Sequence, residues 1–291
     1  MKIGLSLTSH RADGDPRPLI ERARHAHRSG IDSLTVGDKH ATPGPYIQNT
    51  PWLGRLLAEW PSRRAGCLFL MPLWHPVLMA EQIGTLAALH DGPFIVQTGI
   101  GRDDAQFDAM SRSLSTRGAD VDEAIPLVQA MLAGEVVDSE RFGIEGGQVG
   151  LRPPGDVEWW IGGGVGPAID RAARVGGSWY AGPATSVEQG RAGLERFRAA
   201  GGTHAVVRRD VIITADGDRA RTLGAQIVER GYRGMGLDDV VVGSPSDAAE
   251  AFGALSAVGF DEVIVRCMAV PNDVGLETVE LLGELNGEMD A

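Results

Sequence analysis

Cysteine is almost absent from the 291 residues: Cys67 and Cys267 stand alone, each inside an apolar run, AGCLFLM and EVIVRCMAV. Two such positions exclude a disulfide framework and a cysteine metal cluster and read as plain buried thiols. Lysine is as scarce, with Lys2 and Lys39 the whole supply among 27 Lys plus Arg, and aromatic residues make up 5%. No apolar run reaches the ~18 to 20 residues that cross a bilayer. The start, MKIGLSLTSHRADGD, lacks the pattern of a secretory signal, so a soluble, cytoplasmic chain is expected. Positive charge is also short. With 39 Asp plus Glu the formal net charge is −12, which argues against nucleic acid or an anionic membrane as partner and leaves room for a local basic pocket. H-E-x-x-H does not occur, and the one H-x-H, His25 and His27, lies two apart on a helix and points to different faces, so no catalytic metal is expected.

Glycine is plentiful, at 40 residues, with 16 Pro and a 43% hydrophobic content, a globular composition rich in turns. Eight strand-like runs (KIGLSLT, IDSLTVGD, AGCLFLM, FIVQTGIG, VEWWIG, SWYAG, HAVVRRDVIIT and DEVIVRC) alternate with helical patterns such as PLIERARHAHRSG and PVLMAEQIGTLAALHDG. Several are apolar throughout, as strands buried on both faces of a parallel sheet must be. The first strand-to-helix turn, LTSHRADGDPRP, lacks the G-x-G-x-x-G of a doubly wound dinucleotide fold. The expected fold is therefore α/β, a (β/α)8 TIM barrel in one domain over 1–291, with a hairpin-like excursion at about 135–154 after strand four, its short β-prone runs flanking Gly146 and Gly147.

In such a barrel the chemistry sits at the carboxyl ends of the strands. His10 follows strand one; Asp38, Lys39 and His40 follow strand two; Pro72, Leu73, Trp74 and His75 follow strand three. Gly99, Gly101, Arg102 and Asp103 follow strand four, and Gly162, Gly163 and Gly164 follow strand five. The run WWIGGGVGPAID places bare backbone N–H groups at a helix start, either a phosphate cradle or a tightly packed turn. Arg102 either clamps the same phosphate or pairs with Asp103 or Asp104. His40 suits a general acid or base, with a loop histidine as the alternative. His10, Lys39, Trp74 and His75 are candidates for the substrate side, although His75 also fits a helix start and Lys39 a surface pair. Tyr46, in the Pro- and Gly-rich loop TPGPYIQNTP, covers the pocket if that loop folds inward. His25, His27, His90 and His204 read as structural or surface residues.

VGDKH, HPVLMAEQIGTLAALHDG, IVQTGIGRDDAQFDAMS, WWIGGGVGPAIDRAARVGGSWYAGP and VVGSPSDAAEAFGALSAVGFDEVIVR, in this order, resemble the bacterial luciferase-like flavin oxidoreductases. The resemblance implies a (β/α)8 fold and reduced FMN or a deazaflavin (coenzyme F420) as cofactor. By position, Arg102 and Gly162 to Val165 resemble the phosphate site, Gly99 the close approach to the cofactor, and Pro72 and Leu73 the end of strand three that backs the ring, a place where the family often has an unusual backbone. The chain departs at strand two, where Lys39 separates Asp38 from His40, so the family's acid–His adjacency is lost. The implied activity is a luciferase-like monooxygenase using reduced FMN, oxygen and a small organic substrate, with a separate flavin reductase and a homodimeric state. Deazaflavin-dependent hydride transfer, a non-catalytic flavin-binding barrel and a phosphate-sugar lyase or isomerase are the alternatives.

Overall fold

All eight apolar runs form strands, parallel and in a closed ring. The computed structural model describes residues 1–8 and 14–289. The ring consists of β1 (Lys2–Leu7), β2 (Ser33–Val36), β3 (Arg64–Leu70), β4 (Phe94–Gly99), β7 (Val157–Gly162), β8 (Ser178–Ala181), β9 (Ala205–Ile213) and β11 (Glu262–Cys267). Each pairs with the next, and β11 returns to β1, with Lys2 opposite Glu262 and Leu5 opposite Val265. The outer layer contains α1 (Arg17–Arg28), α2 (Asn49–Leu57), α3 (Pro76–Ala88), α5 (Arg117–Ala133), α6 (Gly166–Arg174), α7 (Val187–Ala199), α9 (Pro245–Val258) and α10 (Asn272–Met289). The fold is a (β/α)8 TIM barrel.

Three additions lie outside this alternation. A short helix, α4 (Asp104–Ala109), follows β4; a helix and short strand, α8 (Gly217–Glu229) and β10 (Val241–Gly243), follow β9; and the antiparallel pair β5 (Val137–Ser139) and β6 (Ile144–Gly147) precedes β7. That pair is the expected excursion with its turn corrected: the chain reverses at Glu140–Gly143, and Gly146 and Gly147 lie in the second strand. Gly143, at φ 62°, supplies the left-handed residue that closes the turn. A Cβ on Gly147 would lie 2.5 Å from Ile144 Cγ2, so that glycine serves packing within the hairpin.

Side chains fill the barrel in layers, because alternate residues of each strand point inward. At the floor, Arg64 donates to Glu262 (2.8 Å) and Glu158 (3.2 Å), and Ser33 donates to Glu262 (2.8 Å). Above lies a buried cluster of Ile95, Trp160, Val206 and Ile264, with Tyr180 packed against it. Two residues further along β9 and β11 come Arg208 and Arg266, at the mouth. A larger apolar core joins the outer faces of the strands to the helices and includes Cys67 and Cys267, both free thiols pushed up in pKa by burial. Among the described residues no helix is long and apolar enough to cross a membrane.

Candidate active site

Two adjoining cavities open at the carboxyl end of the barrel, of about 510 and 750 Å3, and both are lined by Arg102 and Arg233. The first is the barrel mouth. Its apolar wall is Leu68 and Leu70 of β3, and Asp38, Lys39 and Tyr46 line the side after β2. The loop that carries Tyr46 therefore folds inward, with the phenol oxygen 3.2 Å from where a Cβ on Gly37 would stand. Gln97 of β4 also lines the mouth, and among the described residues its buried Nε2 has no hydrogen-bond partner.

Asp38 and His40 form a pair, arranged so that the carboxylate meets the cavity. Both Asp38 oxygens lie 3.2 to 3.3 Å from His40 Nε2, and Oδ2 also accepts from the Leu70 backbone N–H (2.8 Å) and the Trp74 indole (2.8 Å). His40 stands edge-on to Trp74, and its backbone N–H donates to Gln106 (3.0 Å). Neither His40 nor Trp74 lines the mouth; both brace Asp38. Lys39 does line it, and among the described residues it makes no ion pair. The inserted lysine thus occupies the wall from which the histidine is set back.

The end of β3 departs from expectation. Pro72 and Leu73 lie buried in a 3-10 turn, Met71–Leu73, and neither lines a cavity; the Pro72 carbonyl instead accepts from Arg112 Nε (2.8 Å). Every described peptide is trans, and Leu68 and Leu70 face the mouth in their place. The irregular backbone at this place is the 3-10 turn itself, entered through Leu70 at φ −75°, ψ 77°. Gly99 stands beside these leucines, and a Cβ there would come within 2.9 Å of Leu70 and 3.3 Å of Leu68. His75 ends the strand-to-helix turn with Nε2 3.2 Å from the Phe142 carbonyl, which ties α3 to the hairpin rather than to the mouth. His10 lies outside the described residues. His90 meets the Arg63 carbonyl (2.7 Å) and His204 the Ser178 hydroxyl (3.0 Å), both at the floor.

The second cavity lies beside the glycine run. Gly163, Gly164 and Gly166 line it, next to the start of α6. Gly162, at the end of β7, packs against the Thr98 carbonyl, and Val165 is the N-cap with its side chain exposed. Neighbouring helices are closed by their own side chains, α7 by Ser186, α8 by Asp216 and α9 by Ser244, whereas among the described residues no side chain caps α6. Its first N–H groups and the positive end of its dipole face the cavity. Arg102 completes the site. It is exposed and, among the described residues, unpaired; Asp103 instead caps α4 through the Ala105 N–H and accepts from Gln106 Nε2 (3.1 Å).

A further group of charged residues, absent from the sequence expectations, lies at the centre of the mouth. The Arg208 guanidinium spans both oxygens of the fully buried Asp210 (2.6 and 2.9 Å), Tyr232 donates to Asp210 Oδ2 (2.7 Å), and Arg233 stands 3.8 Å from the same oxygen. Arg266 of β11 donates to the Thr8 hydroxyl (3.0 Å). Burial pulls Arg266 down to about 10, helped by repulsion from Arg208 and Arg233. Burial pushes Asp210 upward, but Arg208 and Arg266 outweigh it and hold the carboxyl below its ordinary value. The buried Tyr180 and Tyr232 phenols are pushed up to about 12 and keep their protons at neutral pH. A signal existed in the sequence: Arg208 and Asp210 fall on one face of an apolar run, as does Arg266 in EVIVRC.

Comparisons with known proteins agree with this architecture. The family model described as luciferase-like monooxygenase matches residues 1–235. An F420-dependent glucose-6-phosphate dehydrogenase of Nakamurella multipartita is 27% identical over 169 residues, 54% of this chain and 49% of that protein. The chain thus spans about half the length of this curated relative. Monooxygenase RslO1 from Streptomyces bottropensis superposes with a TM-score of 0.82 at 18% identity, over 100% of both chains. The oxygenating constituent of 3,6-diketocamphane monooxygenase from Pseudomonas putida, solved with FMN, gives 0.78 at 15% identity over 99% of both. At those identities the structural likeness speaks for the fold, and the match over residues 1–235 speaks for the family: the chain belongs to the luciferase-like monooxygenase family.

Proposed function

We propose that the protein is an oxidoreductase that works through a reduced flavin-type cofactor, FMN in the first reading, supplied by a separate flavin reductase. The observation that carries this is Arg102, a guanidinium unpaired among the described residues at the junction of the two cavities, beside a helix start that no described side chain caps. Together they offer a phosphate both a bidentate donor and backbone N–H groups. The mouth suits a flat ring with a polar edge, since Leu68 and Leu70 give an apolar wall and Gln97 Nε2 a buried donor with no acceptor among the described residues. When bound, the cofactor supplies the redox chemistry, reduced FMN toward oxygen or a deazaflavin as a hydride carrier. The chain's own part is to anchor, exclude water and manage protons. Lys39 lines the mouth, while Asp38 Oδ2 accepts from the Leu70 N–H and the Trp74 indole and lies 3.3 Å from His40 Nε2.

A second reading, deazaflavin-dependent hydride transfer, is favoured by the F420 dependence of the Nakamurella relative and by room: about 750 Å3 beyond the glycine run exceeds what a phosphate monoester fills. Titration of the purified protein with FMN and, separately, with F420, followed by tryptophan fluorescence, decides between them. FMN is expected to bind, with Arg102→Ala weakening it at least tenfold. F420 binding alone moves the protein to hydride transfer, and binding of neither overturns the proposal.

A further inference from the structure

Three guanidiniums, Arg208, Arg233 and Arg266, gather at the centre of the mouth around one carboxylate, Asp210. That carboxylate is already engaged: Arg208 spans it and Tyr232 donates to it (2.7 Å), leaving Arg233 only a loose approach at 3.8 Å. Arg266 has no carboxylate within ion-pair distance among the described residues, and the hydroxyl of Thr8 is a neutral partner. Two of the three positive charges are thus uncompensated, inside a molecule with a formal net charge of −12. Backbone geometry holds one of them in place. Arg233 takes a left-handed conformation (φ 53°) between Gly231 (φ 86°) and Gly234 (φ 71°), in the connection from α8 to β10. A non-glycine residue at positive φ is costly and persists where the surroundings demand it. The connection thereby sets Arg233 at the junction of the two cavities, facing the β9 carboxylate.

We propose that this group receives an anionic substituent of the substrate, a carboxylate or a phosphate, on Arg266 and Arg233, with Arg208 locked by Asp210 as the fixed side of the pocket. The inference rests on the oxidoreductase reading and adds the substrate class: a small acid or phosphorylated molecule whose charged end sits over β9 and β11. Its remainder then extends toward Lys39, across the mouth from the Leu68 and Leu70 wall that backs the ring. The anchor differs from the phosphate site, which is built from Arg102 and α6 across the shared wall. Planar guanidiniums suit this task because they match carboxylate and phosphate oxygens in pairs.

Calorimetric titration of the whole protein tests it, with malonate and inorganic phosphate as probes and a saturating amount of whichever cofactor binds. One anion is expected to bind in the cofactor's presence. Arg266→Gln and, as a second variant on an exposed loop, Arg233→Gln are each expected to weaken it at least tenfold. Arg266→Gln should leave cofactor affinity within twofold, and Arg102→Gln should weaken the cofactor and not malonate. Anion binding lost in Arg102→Gln, or abolished by saturating cofactor, would assign the cluster to the cofactor's own charge and overturn the proposal. So would cofactor binding with no anion binding, or anion binding indifferent to both cluster variants. Should neither FMN nor F420 bind, the cofactor reading fails by itself, and anion binding by the free protein that is lost in both cluster variants still supports the anchor.

Discussion

Gly162, Gly163 and Gly164 are adjacent and chemically identical, yet the structure asks different things of them. A Cβ on Gly162 would lie 2.3 Å from the Thr98 carbonyl oxygen, and Gly163 sits at φ 148° with its Cβ position 2.5 Å from Ala168 Cβ. Gly164 has open space, on the wall of the second cavity. Gly162→Ala should therefore cost stability, about 2 to 3 kcal/mol by forced displacement of a packed strand. Gly164→Ala should fold as the wild type does, within about 0.5 kcal/mol, and lose cofactor affinity because the methyl group stands where a ligand approaches. Thermal melts paired with FMN and F420 titrations check this; equal stability losses in the two variants would make the run a packing turn alone. At this scale the sequence was legible where a residue type is rare or clustered, as in the glycine run, Arg102 and Lys39. It was less legible where position within a layer decides. Pro72 and Leu73 were placed on the cofactor side, but the 3-10 turn buries them and presents Leu68 and Leu70 instead.

Helices α1 and α2 pack on the barrel separately, and a single carboxylate just beyond α2 joins them. Glu59 accepts from Arg24 of α1 (2.7 Å) and Arg55 of α2 (2.9 Å), and these bonds hold its pKa down at about 2. Its folded pKa is depressed, so the stabilisation is present above the ordinary value of 4.5 and is lost as pH falls toward 2. Both arginines are largely solvated, which limits the effect to about 1 kcal/mol. Urea unfolding of Glu59→Gln at pH 7 should show that loss, and the gap to wild type should narrow as pH falls from 4.5 toward 2; a gap as wide at pH 3 as at pH 7 would point to packing instead of charge. The long elements were readable from their period, and all eight barrel strands fall where apolar runs place them. The additions were not. Six residues of α4 and three of β10 are too short for a period to develop, and in the hairpin Gly146 and Gly147 stood out more strongly than the Glu140–Gly143 turn that actually reverses the chain.

Across the whole barrel, charge is distributed unevenly along the axis. The floor holds Arg64 against Glu262 and Glu158; the mouth holds Arg208, Arg233 and Arg266 against Asp210. β11 contributes to both ends, Glu262 below and Arg266 above, with Ile264 between them. The floor bonds join segments 198 and 229 residues apart in sequence, so they close the ring and belong to folding. The mouth has the opposite character: its cations repel, and Arg266, lowered by burial from its ordinary value to about 10, carries its charge at a cost. A shift of that size corresponds to about 3 kcal/mol. Because the folded pKa is the lower one, the cost is present in full below pH 10 and disappears only above arginine's ordinary value. Glu262→Leu leaves Arg64 with Glu158 alone and Ser33 without its acceptor at the floor, and should cost about 3 kcal/mol. Arg266→Met removes a repelling charge, so the ligand-free variant should melt no lower than wild type while losing the stabilisation that malonate gives wild type. A destabilisation of Arg266→Met as large as that of Glu262→Leu would show that the mouth, like the floor, is held together by its charges. A ligand-free gain in stability would show that the molecule tolerates strain there in exchange for binding, as sites under selection for function do.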